Sequence, residues 1–270
     1  MIENGTLYCM YFGVIMAFLL PLIIMCMGIA FNKMRIAPIF VGMIVYFLSS
    51  YMIRLPMVLG LTSIGVYESL QANELVFPVV SSLMISVSLG IGRVLGWLPS
   101  RKNHDYKGAL SIGFGMGALD CIMMLGMDMF STMMLAKAYN GGTFEAMVEG
   151  MDPEYVIQLT NALTQTEGYV YILSSLERVM LMILEMVMAV LLYKFWQKRK
   201  LFEGTFVTMG VSWFIIMAAS LLYSMNIYLG AIYLVICGAV GVYFLYKMYK
   251  EEPKVEVEKE SKEAKFGTVE

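Results

Sequence analysis

Three acids and two arginines of this sequence are read at membrane depth within long apolar stretches: Asp120, Glu177, Glu185, Arg93 and Arg178. At the centre of a bilayer a charge costs roughly 2.5–3.5 kcal/mol on insertion scales, so each calls for a partner or a task. Three carboxylates at that depth could make a substrate or proton site, and Asp120, Glu177 and Glu185 are the catalytic candidates. Paired with the two guanidiniums, the same acids would instead be a polar staple between helices, with no chemistry. Both readings are open from the residues alone.

Depth argues for particular buried ion pairs. At 1.5 Å per residue Asp120 lies roughly 18 Å from the inner end of its helix, and Arg178 roughly 14 Å from the outer end of its own. In a hydrocarbon core about 30 Å thick those levels coincide, which predicts an Asp120–Arg178 pair. Glu185 follows Arg178 by seven residues on the same stripe, near the level of Arg93. That predicts a second pair, Arg93 with Glu185. Glu177, roughly 100° round the helix from Arg178, shares that arginine or stays protonated. Asp120 and Glu185 differ in depth by roughly 10 Å, too far for a carboxylate dyad.

The helix that must present Asp120 is the apolar stretch 108–136. Its first half is rich in small residues that let neighbouring helices approach, and Gly113, Gly115 and Gly117 are the packing candidates. Gly113 and Gly117 form a GxxxG pair, and Gly113, Met116, Gly117 and Asp120 share one face. Six further apolar runs, 7–31, 36–55, 75–98, 169–195, 206–223 and 228–249, are long enough to span a bilayer. Pro21 is read as a kink in the first. The fold class is therefore all-α: a polytopic membrane helix bundle of about seven transmembrane helices. The 270 residues are 59% hydrophobic with a mean hydropathy of +0.72, far beyond what a soluble domain needs. The bundle is expected over 1–250, with a charged cytoplasmic tail over 251–270.

Residues 56–73 read as a loop with a short helix. Residues 137–168 are expected to hold two short extracytoplasmic interfacial helices, one capped by Thr143 and one started by Asp152-Pro153. Lys33/Arg35, Arg101/Lys102/Lys107, Lys198/Arg199/Lys200 and Lys247/Lys250 fall at alternate connections. The positive-inside rule then places the N-terminus outside and the C-terminus in the cytoplasm, and the expected location is a bacterial cell membrane. Cys9, Cys26, Cys121 and Cys237 have no CxxC spacing and read as small buried side chains. A net charge of −2 points away from nucleic acid. Membrane lipids and a transmembrane protein or peptide are the expected partners.

Two segments carry a resemblance. Gly113-Phe114-Gly115-Met116-Gly117-Ala118-Leu119-Asp120 resembles the Gly-x-Gly-His-Gly-Gly-x-Glu motif of the YhfC-like intramembrane metalloproteases. Leu176-Glu177-Arg178 and the run to Glu185 resemble that family's Glu-Arg segment, which has a histidine eight residues after the glutamate. Leu89-Gly90-Ile91-Gly92-Arg93 is a weaker match to a Glu-Glu-x-x-Arg pattern. The likeness covers about residues 75 to 200. It implies a helical membrane bundle with a metal between its core helices, and water activated by that metal and a glutamate. Zinc takes N, S and carboxylate O donors.

This sequence departs from the pattern at its chemical positions. Met116 and Glu185 stand where the resemblance places histidines, Asp120 where it places glutamate, and Leu89 and Gly90 where it places the paired glutamates. The lone histidine, His104, falls in a loop. No metal site is expected, and no cofactor, with zinc entering only if the protein is a peptidase. The reading that results is a non-catalytic pseudoprotease that binds a membrane partner or peptide. The alternatives are an active intramembrane peptidase using its buried carboxylates, and a transporter or transporter subunit.

Overall fold

The structure, a computed structural model, describes residues 2–98 and 105–252. Seven helices are long and apolar enough to cross a membrane: Asn4–Ala30, Ile36–Ser63, Val76–Trp97, Tyr106–Gly141, Gly168–Gln197, Leu201–Met225 and Ile227–Glu251. They are the first to seventh spans below. No strand occurs among the described residues. The distribution of side chains is that of a protein dissolved in lipid. Phe18, Phe40, Phe47, Phe214 and Val240 are exposed, while Arg93, Glu185, Ser86, Ser212 and Thr208 are buried. Backbone polar groups are satisfied inside each helix, as a hydrocarbon solvent requires.

The fourth span is the centre of the bundle, and glycines decide how closely it is embraced. A Cβ on Gly115 would stand 2.1 Å from the Ile39 carbonyl oxygen, and one on Gly42 would stand 2.2 Å from that of Ile112. The second span therefore lies backbone against backbone on one side of the fourth. On another side, a Cβ on Gly113 or Gly117 would come within 2.7 Å of the backbone of Glu185–Met186 or Met182 in the fifth span. The third span packs on the sixth, and the sixth and seventh pack on the fifth. The first lies against the second half of the fourth and against the fifth.

Two spans run differently from the sequence expectation. The second does not end at residue 55 but continues to Ser63. It does so through a π-helical segment, Ser49–Arg54, in which the Leu55 N–H bonds to the Ser50 carbonyl five residues back. Pro56 follows directly. It has no N–H to offer the turn before it, and the wider segment absorbs that fault without ending the helix. Much of the expected 56–73 loop is thus helix, followed after Gly65 (φ 68°) by the short helix Val66–Gln71. The fourth span extends to Gly141 through a second π-helical segment, Cys121–Gly126. The left-handed Gly142 (φ 73°) stops it. The first span runs through Pro21 as one helix.

Between the fourth and fifth spans lie the helices Phe144–Met147 and Pro153–Gln165. Asp152 caps the second by accepting from the Glu154 N–H, while Thr143 makes no such bond. At one end of the bundle Arg35 meets Asp105 at 2.6 Å, Lys33 meets Tyr249, and Lys194 meets Glu252 at 2.8 Å. This is the basic end. At the other, acidic end Asn140 pairs with the Ile2 backbone and Tyr169 stacks on Tyr228. Glu251 ends the last helix and Glu252 also accepts from Tyr193. The remainder of the expected tail, 253–270, and Arg101, Lys102 and His104 lie outside the described residues.

Candidate functional site

The third and fifth spans bring Arg93 and Glu185 together deep in the bundle. The guanidinium forks onto the carboxylate, Nε donating to Oε2 at 3.0 Å and Nη2 to Oε1 at 2.7 Å. Its Nη1 donates to Ser212 Oγ of the sixth span at 3.2 Å. Ser212 in turn donates to the Thr208 carbonyl. The arginine side chain is 1% exposed and the glutamate 7%. Parallel N–H···O bonds of this kind are the strong, orienting form of the ion pair. They leave neither carboxylate oxygen free of the guanidinium.

About two turns toward the acidic end, a looser cluster surrounds Asp120. Tyr46 of the second span donates its hydroxyl to Asp120 Oδ1 at 2.5 Å. Arg178 of the fifth approaches Oδ2 at 3.5 Å and its own neighbour Glu177 at 3.9 Å. The exposures here are higher, 17% for Asp120, 27% for Glu177 and 32% for Arg178. The glycine faces put these residues in reach of one another. Gly113 and Gly117 let the fifth span close on the fourth, while Gly42 and Gly115 do the same for the second. Met116, on the face of Gly113 and Gly117, is wholly buried in the main apolar core.

The two clusters border a cavity of about 180 Å³. One water molecule needs only roughly 10–15 Å³ of such space, so there is room for several waters or a small ligand. Its wall takes residues from five spans, among them Tyr46, Ser50 and Arg54, then Asp120, Glu177, Arg178, Glu185 and Ser220. Tyr46, Ser50 and Arg54 recur at every fourth residue of the second span. Steps of four drift by roughly 80° over that distance on an α-helix, and the wider π turn takes the rotation back. The second π segment begins immediately after Asp120. Sequence reasoning missed Tyr46 and Arg54. The signal it could have used is that four-residue polar stripe in an otherwise apolar run.

Residues 16–235 match the family model described as YhfC intramembrane metalloprotease. The chain belongs to the YhfC family. A relative, the uncharacterised membrane protein YhfC of Bacillus subtilis (strain 168), is 29% identical over 104 residues, or 38% of this chain. The match spans 40% of that relative's own length, well under two thirds. No solved structure matches this chain.

The YhfC description implies a metal, and the donor set can be tested against it. Among the described residues no three His, Cys, Asp or Glu stand together as a cation would need. Both oxygens of Glu185 are bonded to Arg93, and those of Asp120 face Tyr46 and Arg178. Met116 is enclosed by packing and takes no part in the cavity wall. Carboxylates already neutralised by guanidiniums, beside a thioether, are a poor match to zinc's preferred N, S and anionic O donors. The residues present at the site do not fit the metal.

Proposed function

We propose that this YhfC-family protein is a pseudoprotease: an integral membrane protein that holds a membrane partner or peptide on a peptidase scaffold without hydrolysing it. One observation carries the reading. Glu185, at the position where the family pattern has a histidine, gives both its oxygens to Arg93. A carboxylate bound in that way is neither a free metal ligand nor a free base, and Asp120 is likewise engaged by Tyr46 and Arg178. The charges that a peptidase would direct at water and substrate are directed at each other.

The test is the metal content of the detergent-purified chain after incubation with zinc and gel filtration. It is paired with an assay for cleavage of co-expressed single-span membrane proteins. The expected result is less than stoichiometric metal and no cleavage. About one zinc per chain, together with cleavage that Asp120→Asn abolishes, would overturn the reading.

A further inference from the structure

Arg54 faces the cavity with nothing to neutralise it. Among the described residues it makes no ion pair or hydrogen bond, although its side chain is half-buried on the wall. Glu177 has the opposite deficit. Its cationic neighbour, Arg178, is 3.9 Å away and is shared with Asp120. That distance is well outside the roughly 2.7–2.9 Å of a charge-assisted hydrogen bond. Glu177 accepts no hydrogen bond from any described residue.

The two unmet charges line the same cavity. Arg54 lies eight residues beyond Tyr46 toward the acidic end of the second span, and Glu177 is the neighbour of Arg178 on the fifth. They share a cavity and yet do not meet. Arginine and glutamate in a low-dielectric setting attract strongly, and here both line one cavity without pairing with each other. The charge balance narrows what that is. Arg54 and Arg178 offset Asp120 and Glu177, while Arg93 and Glu185 cancel by themselves. A simple anion would answer Arg54 but leave a net negative charge beside Glu177, and a simple cation would do the reverse. A neutral molecule with separated charges answers both. Ser50 and Ser220 add hydroxyl-bearing residues to the same wall. The π-helical segment that ends at Arg54 is what holds this arginine on the stripe of Tyr46 and Ser50, and such segments recur at functional sites.

We propose that the cavity binds a zwitterion, its phosphate or carboxylate against Arg54 and its ammonium against Glu177. The headgroup of phosphatidylethanolamine, a phosphodiester with an ammonium, supplies this chemistry from the bilayer, and its water-soluble counterpart glycerophosphoethanolamine supplies it from water. Such binding is independent of whether the protein cleaves peptides.

Native mass spectrometry of the full chain in detergent tests it with three probes: phosphatidylethanolamine, phosphatidylglycerol and soluble glycerophosphoethanolamine. The wild type should bind one of the two zwitterions at least several-fold more tightly than phosphatidylglycerol, and the probe retained identifies the source. Arg54→Gln and Glu177→Gln should each weaken that binding about tenfold, the effect of one lost charge-assisted hydrogen bond. Should either variant fail to fold, the preference of the wild type decides. Equal affinity for phosphatidylglycerol, no binding of either zwitterion, or less than a twofold effect in folded variants would overturn the proposal.

Discussion

Arg93 and Glu185 form an ion pair almost wholly removed from solvent. An ion pair taken out of water loses much of its Coulombic gain to desolvation, yet removing one partner strands the other. With side chains 1% and 7% exposed, this pair is in that regime. Arg93→Met should therefore destabilise the protein by about 3–5 kcal/mol, because Glu185 would be left buried and uncompensated. The double variant Arg93→Met/Glu185→Leu should recover most of that loss, since two apolar side chains of similar volume need no partner. Thermal unfolding in detergent, followed by tryptophan fluorescence, measures both. A double variant as unstable as the single one would mean that packing around Ser212, rather than charge, sets the stability of this region.

Elements rather than residues explain what could and could not be read from sequence. Helical rise is nearly constant and the hydrocarbon core has a fixed thickness, so counting residues ranks Asp120 with Arg178 and Arg93 with Glu185. Those residues stand 3.5 and 2.7 Å apart. Rise counted along a regular helix could not reveal the π segments, and the trace the first of them leaves in the sequence is the four-residue polar stripe Tyr46, Ser50 and Arg54. A regular helix would break at Pro56, where the second span is expected to end, and Arg54, one residue inside that end, is absent from the charges counted at depth. Gly42 was equally hidden. It belongs to no motif, and its role appears only when the second and fourth spans are laid together. The packing itself is open to test. Gly42→Ala and Gly115→Ala would drive a methyl into the backbone of the facing helix, at 2.2 and 2.1 Å. Each should lower the yield of folded protein and the midpoint of unfolding. Gly210→Ala is the control, with nothing within 4 Å of its new methyl. Alanine there should stabilise by about 0.5–1 kcal/mol, since it restricts the unfolded chain and favours helix.

At the scale of the whole molecule, the two ends of the bundle differ in the charge they carry. Lys33, Arg35, Lys107, Lys194, Lys198, Lys247 and Lys250 lie at or near one set of span ends, several of them bound to side chains there. Glu68, Glu74, Glu145, Glu149, Asp152, Glu154 and Glu167 lie in the connections at the other. Lysine and arginine are retained on the cytoplasmic side during insertion, whereas acids exert little effect, so the asymmetry predicts that the basic end faces the cytoplasm. The cavity, with Arg54 and Glu177 in the half nearer the acidic end, would then be reached from the outer leaflet. Reporter fusions decide this. Alkaline phosphatase joined after Glu252 should be inactive, while green fluorescent protein at the same point should fluoresce. Alkaline phosphatase inserted at Gly150, a left-handed glycine (φ 84°) between the two short helices, should be active. The opposite pattern would invert the bundle and place the cavity's nearer opening on the cytoplasmic side. Lysine placed in pairs beside Glu68 and Glu149 should weaken the preference if basic residues impose it, and leave it intact if the long apolar first span, Asn4–Ala30, alone commits the chain.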